Sequence, residues 1–416
     1  MNIIITALNS WENGSISNIR ILAEQFSIRH NVLFVNIPIE IMAPIRGFRS
    51  TEIDNRVKIY RKPGPALRRM NNNLWLFTPP IAISAPGNLF SEMMFDMVNR
   101  RNNRRLVREI LWAMECLKMN RDFIHINDND IFSGFYIKEL LMPRLSIYYR
   151  RDNLTALPYW NRNGVRLEPR LAHKSDAVVT CSESLAAGVR PFNYNTFNIG
   201  QGVNLQAVKS LSDRLLTPRD MNGIRGPIVG VVGNLASLYT SANTIHRLAR
   251  EHPRVSVVLV GSEDSSFSSH TLHLLPNVFF LGAKNNDQII HYVRNFDVLI
   301  NPIAINELTE VNYSSVVDIA LALGKPVVSM RNDPLTYLSG YVHLVDSEED
   351  FSRAVTLALR EVDSDELADE RRSFAESLNI EHCAERFYAV VEYLEEELRM
   401  KKGIEAPHSC VSPTPS

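Results

Sequence analysis

The sequence predicts an α/β protein of two doubly wound, parallel-sheet domains facing a cleft, and three observations carry that reading. Short runs rich in Ile, Val, Phe and Tyr are continuously apolar, which marks strands covered on both faces. Helix-like stretches separate these runs, and the whole pattern restarts after residue 225. At 416 residues the chain is also too long for one ordinary core.

In the first half, strands are expected near residues 2–8 (NIIITAL), 31–37 (NVLFVNI), 57–61, 74–78, 123–127 (FIHIN), 145–150 (LSIYYR), 177–181 (AVVTC) and 196–199. The segment Ser17 to Arg29 places Ile19, Leu22, Ala23 and Phe26 at helical spacing, so it is the first crossover helix of a βαβ opening. This defines a first Rossmann-like domain over residues 1–205.

Residues 206–225 read as a linker, because the polar stretch from Ser210 is punctuated by Pro218 and Gly223. Six strands are expected in a second Rossmann-like domain over 226–379: GPIVGVVGN, VSVVLVGS, VFFLGA, DVLINP, PVVSM and HLVDS. Helices at Thr240 to His252 and Asp287 to Asn295 lie between them. In NELTEVNYSSVVDIALALGKPVVSM, Gly324 ends a helix through a positive φ, Pro326 forbids its continuation, and Val327-Val328 begin the next strand. A last helix, 380–400, could cross back to the first domain. Residues 401–416 lack any apolar period and are expected to be a disordered tail.

The net charge of −1 conceals an asymmetry: through residue 200 there are 26 Lys/Arg against 17 Asp/Glu, about +9, which leaves about −10 for the rest. Cys116, Cys181, Cys383 and Cys410 lie far apart, form no CxxC pair, and argue against both a zinc site and a disulfide framework. No metal and no cofactor is expected. No apolar run approaches the roughly 20 residues that cross a bilayer, and the chain opens directly on a strand, so a cytoplasmic location is expected. The basic residues fit no nucleic-acid reader motif.

In doubly wound sheets ligands bind beyond the carboxyl ends of the strands, which directs attention to four loops. The first holds Asn13 and Gly14 before a helix N-terminus, which suits an anion or a sugar edge; a plain turn with a serine cap fits as well. The second runs through Arg150, Arg151 and Asp152: the carboxylate is a candidate base for a hydroxyl and the arginines candidate ligands of a phosphate, with a surface salt bridge as the bland alternative. His125 and Asp128 form a rival acid–base group, with Asp130 beside them. The third loop, with Gly233 and Asn234 after GVV, can offer backbone amides to a diphosphate. The fourth carries Asn306, Leu308 and Thr309, and Lys284 could add a cation.

Taken together, RRDNLTALPYW with LEPRLAHKSDAVVTCS, IGQGVNL, VFFLGAKNNDQIIHYVRNFDVLINP, and NELT with GKPVV make the chain resemble glycosyltransferases of the GT-B fold. The resemblance is to the retaining family 4 and bacterial polysaccharide-biosynthesis relatives, and it extends to about residue 400. It implies metal-independent transfer of a sugar from a nucleotide-diphosphate sugar, bound mainly by the second domain, to an acceptor hydroxyl in surface polysaccharide or glycolipid synthesis. The family's helix before GKPVV commonly carries a Lys and a Glu for the donor's phosphates and ribose. Those places here are Val316 and Ile319. Asp318 could replace the Glu if the last turn were slightly longer, since one residue is about 100° on a helix; otherwise it is a solvated helix residue. Asn306, Thr309 and Asn312 offer uncharged substitutes. The alternative to an active enzyme is a catalytically silent GT-B protein serving as partner or scaffold in a glycan-assembly complex.

One further stretch, residues 98–112 (VNRRNNRRLVREILW), reads as a helix with five arginines in a short span. Leu106, Ile110 and Trp112, with Met93, Met94 and Phe95 upstream, give it an apolar side. An arginine near an anionic membrane is worth on the order of 1 kcal/mol, so peripheral contact with the inner leaflet is one expectation. A solvated face over a packed core is the other.

Overall fold

The structure is a computed structural model that describes residues 1–11, 18–40, 66–89, 91–212 and 217–404. The expected strand at 57–61, the loop residues Asn13 and Gly14, and the tail from residue 405 lie outside the described residues.

The first sheet contains β1 (Asn2–Ala7), β2 (Asn31–Asn36), β4 (Leu67–Arg69), β5 (Leu74–Phe77), β7 (Phe123–Asp128), β8 (Leu145–Arg150), β9 (Ala177–Thr180) and β10 (Thr196–Asn198). Two short strands, β3 (Ile39–Glu40) and β6 (Ala82–Ile83), pair with each other apart from it. Across the sheet the order is β10-β9-β8-β7-β1-β2-β5-β4. All pairs are parallel except β4 with β5. Every residue of β7 and β8 is buried, including the polar His125, Asn127, Asp128, Ser146 and Arg150. In β1, Ile3 and Ile5 face the helices Asn18–Phe26 and Ile380–Ile404, whereas Ile4 faces the helix Glu92–Cys116. The edge strand β4 reads Leu-Arg-Arg, with both arginines exposed; its polarity hides it from an apolar-run search and shields the sheet edge from further pairing.

The second sheet comprises β11 (Ile228–Val232), β12 (Ser256–Val260), β13 (Val278–Phe280), β14 (Val298–Asn301), β15 (Val327–Met330) and β16 (His343–Val345). Its order is β13-β12-β11-β14-β15-β16, and it is wholly parallel. Strand order therefore reverses between β11 and β14, which opens a crevice where their loops diverge. Gly230 in β11 packs directly beneath the Phe296 ring, where a Cβ would overlap the aromatic carbons. Two connecting segments run side by side between the sheets: Val203 N–H donates to Leu378 O (2.9 Å) and Ile380 N–H to Val203 O (3.0 Å). The last helix then lies on the first sheet's cluster, with the Phe387 ring 4.8 Å from that of Phe26.

Helix Glu92–Cys116 is held from below by asparagines. Asn103 donates to Phe132 O (3.0 Å) and accepts from Tyr136 N–H (3.0 Å), and Asn102 donates to Ser84 O (2.7 Å). Phe95, Leu106 and Ile110 are buried in the core, in line with the expectation of a solvated face over a packed core, whereas Met93, Met94 and Trp112, grouped with them above, are not. The apolar groups left outward are Met93, Met94, Met97, Leu111 and Trp112. Arginine pairs four apart (100/104, 101/105, 104/108) each disfavour the helix by about 0.2–0.5 kcal/mol, a cost that the buried face offsets.

Candidate active site

The carboxyl ends of the two sheets meet. Asp152 follows β8 and Tyr239 follows β11, yet the Tyr239 hydroxyl is pushed upward in pKa by burial and then by the charge of Asp152. Val311, from the loop after β14, packs on the first sheet's core, and the turn Asp333–Leu338 lies beside the helix Glu183–Val189.

On the first-sheet side, Asp128 ends β7 and is fully buried. Arg151 closes over it: Nε and Nη2 both donate to its carboxylate, the latter at 3.1 Å. Burial pushes the Asp128 carboxyl above the usual range against the pull of Arg151, and Asp128 and Asp152 together hold Arg151 firmly protonated. Arg150 is likewise spent within the domain, donating to Glu168 (Nε–Oε1 2.9 Å) and to Leu185 O (3.1 Å). The expectation that both arginines face a substrate is thus corrected. Each is sealed against a carboxylate under the loop, because a buried guanidinium without a counter-charge would be prohibitively costly.

His125 sits mid-strand with its ring 1% exposed, hydrogen-bonded by Nε2 to Thr6 Oγ1 (2.9 Å), and burial lowers its pKa to about 3. It is a neutral core residue rather than an acid–base group at the strand end. Asp130 caps the turn that follows, accepting from Phe132 N–H (3.0 Å) and Ser133 N–H (2.7 Å). Asp152 alone of these carboxylates keeps an open edge: its side chain is 27% exposed, with Arg151 Nη1 3.9 Å away. Asn129 builds its pedestal. Its backbone takes φ of 57°, and its Oδ1 accepts from Arg151 N–H at 3.0 Å. The run Asn127-Asp128-Asn129-Asp130 at a strand end was the signal for such a left-handed turn.

On the second-sheet side, the loops after β11 and β14 are stitched together. Ala304 N–H donates to Tyr239 O (3.0 Å), Ser241 N–H to Pro302 O (2.8 Å), and Asn306 Nδ2 to Leu238 O (2.8 Å). Gly233 and Asn234 are exposed at this switch point. Gly233 has φ of 155° with nothing within 4 Å of where a Cβ would project, while a Cβ at Gly261 would strike the Gly233 carbonyl. Two glycines thus bring the ends of β11 and β12 together, with Gly233 N–H donating to Val260 O (3.0 Å), and leave the Gly233-Asn234 turn exposed.

The other second-sheet candidates serve the fold. Asn306 Oδ1 accepts from Leu308 N–H (3.0 Å) and Thr309 N–H (3.2 Å), the Thr309 hydroxyl donates to Ala304 O, and Leu308 is buried. Their side chains fix the loop's shape, and the N–H groups of Asn306, Leu308, Thr309 and Glu310 are likewise used within it. Lys284 forms an ion pair with Asp220 (2.8 Å) instead of reaching into the crevice.

Asp318 is shielded from solvent. The helix Ser315–Ala322 ends in an ordinary Schellman turn, Lys325 N–H to Ala320 O (2.8 Å) and Gly324 N–H to Leu321 O (2.9 Å), so no extra residue rotates it. It is fully buried, it accepts from the Tyr313 hydroxyl, and its Oδ2 has no partner among the described residues. Burial raises its pKa to about 7. The Tyr313 hydroxyl lies 2.9 Å from that of Tyr337. Val316 and Ile319, where the resembling family has Lys and Glu, are packed in the second core.

Two parallel sheets with their carboxyl ends opposed and a last helix returned to the first define the GT-B glycosyltransferase fold. Residues 226–361, the second sheet with its helices, match the family described as Glycosyl transferases group 1. Among solved structures, sucrose-phosphate synthase from Thermosynechococcus elongatus superposes with a TM-score of 0.69 at 15% identity, covering 95% of this chain and 99% of that one. The UDP-forming α,α-trehalose-phosphate synthase from Burkholderia vietnamiensis gives 0.66 at 11% identity, covering 94% and 97%. Anabaena HepE in complex with UDP-glucose gives 0.64 at 14%, covering 95% and 100%. No curated protein matches by sequence.

Proposed function

We propose that the protein is a glycosyltransferase that binds a nucleotide-diphosphate sugar on the second-sheet loops and moves the sugar to an acceptor hydroxyl beside Asp152. The observation that carries this is the exposed Gly233-Asn234 turn at the switch point of the second sheet, in a crevice whose Tyr239 senses the charge of the partly open Asp152 on the first. Backbone amides at such a point suit a diphosphate, and a carboxylate across the cleft suits a hydroxyl whose proton must leave. The family matched by residues 226–361 supports the reaction class, and the UDP-glucose bound to HepE supports a uridine nucleotide. No metal enters this scheme. The acceptor is an intermediate of surface polysaccharide or glycolipid synthesis, carried at an anionic membrane that the basic first domain contacts.

Titration calorimetry with UDP, GDP and UDP-glucose tests the reading. Wild-type protein should bind one of them, and Gly233→Val, which fills the space beside the turn and strains its φ of 155°, should weaken that binding by at least about tenfold. If none binds at millimolar concentration, the silent-partner alternative replaces the enzyme.

A further inference from the structure

The outward arc of helix Glu92–Cys116 takes no part in the nucleotide loops, yet it forms a concavity of about 880 Å³ lined by Asp96, Met97, Arg100, Arg101, Arg104, Arg105, Arg108 and Tyr136. Asp96 does not neutralise it, because its carboxylate is bound to Arg166 (2.8 Å). Among the described residues none of the five arginines has an ion-pair partner. The wall opposite the helix is fixed: Asn103 holds Tyr136 through its backbone amide, and the Arg100 guanidinium lies 5.8 Å from the Tyr136 ring centre. Exposed apolar groups flank the basic centre along the same helix, Met93 (80% exposed) and Met97 at one end, Leu111 and Trp112 (50%) at the other.

We propose that this groove is a lipid-headgroup site, taking the phosphomonoester or diphosphate headgroup of a membrane lipid while the flanking methionines and Trp112 enter the interface. The proposal rests on the reading that the acceptor is carried at a membrane. Guanidinium forks pair with phosphate oxygens two at a time, so several converging arginines suit a headgroup of more than one negative charge. A flat basic patch would answer only to surface charge, whereas a walled groove reads headgroup shape. Exposed Met, Leu and Trp on either side of a groove whose lining holds a single ring, that of Tyr136, favour a bilayer over RNA, for which several stackable rings along a basic face would be expected.

The test is flotation of the full chain with phosphatidylcholine vesicles containing either phosphatidic acid or phosphatidylglycerol, adjusted to equal surface potential. Preferential recovery with phosphatidic acid is expected, falling about fivefold for each arginine removed in Arg104→Gln and Arg104→Gln/Arg108→Gln, and falling also in Met93→Ser/Met97→Ser. All three changes are at exposed positions, and an unchanged melting temperature with unchanged nucleotide heat shows that the variants remain folded. Equal recovery with both lipids, recovery insensitive to the arginine changes, or binding of inorganic pyrophosphate or RNA without flotation would each overturn the proposal. Nucleotide binding is measured separately. Flotation lost with calorimetry intact fails the groove alone, and the reverse fails the transferase reading alone.

Discussion

Asp318→Asn isolates one buried carboxyl and turns its environment into a pH profile. In the native protein Asp318 holds its proton to about pH 7, because burial disfavours the charge, while in the unfolded chain it ionises from 3.8 upward. The folded pKa is raised, so the native state binds more protons in that window and stability is lost as pH rises from about 4 toward 7. Between about pH 5.5 and 7 that loss, at ~1.36 kcal/mol per pH unit, accumulates to about 2 kcal/mol and then stops. Asparagine accepts the same Tyr313 hydroxyl and does not titrate. The stability of the variant relative to wild type should therefore climb by about 2 kcal/mol between about pH 5.5 and 8. Other titrating groups are shared by both proteins and cancel in the difference. Urea unfolding followed at both pH values supplies the measurement. Parallel wild-type and variant stabilities, or a difference that shrinks with pH, would refute the argument that Asp318 is a neutral, buried acid.

Three further changes probe other parts of the account. Asp152→Asn keeps the shape of the loop and removes a proton acceptor, so turnover should fall by about 10²–10⁴ with the melting temperature unchanged; near-normal turnover would deny Asp152 its role. Arg151→Met strands the buried Asp128 carboxylate and should destabilise the protein by about 3–5 kcal/mol at neutral pH, measured by denaturant unfolding. Gly230→Ala drives a methyl into the Phe296 ring and should cost about 1–3 kcal/mol.

The parallel architecture was legible because strands covered on both faces are rich in apolar residues on both, as the runs Ile3-Ile4-Ile5 of β1, Val32-Leu33-Phe34-Val35 of β2 and Ile147-Tyr148-Tyr149 of β8 are. Gly324-Lys325-Pro326 announced its helix stop because only a few residues fit that turn. Strand β4 stayed hidden because an edge strand bears charge instead of an apolar run. For the site, sequence could point to loops at strand ends but not to the partners that occupy their side chains. Glu168 reaches Arg150 from the helix Pro158–Lys174, and Asp220 reaches Lys284 from far upstream. Asn306 looks the same in sequence whether it faces a ligand or, as here, its own loop. Such pairings are set by tertiary approach, which residue spacing does not encode.

The central claim is that the crevice between β11 and β14 holds the nucleotide. Hydrogen–deuterium exchange of the full chain with and without saturating UDP or UDP-glucose tests it most directly, because a ligand seated on these loops slows their opening and so their amide exchange. Protection should concentrate in residues 233–240 and 301–314 on the second sheet. No change there, or protection confined to the arginine groove of helix Glu92–Cys116, would contradict the account.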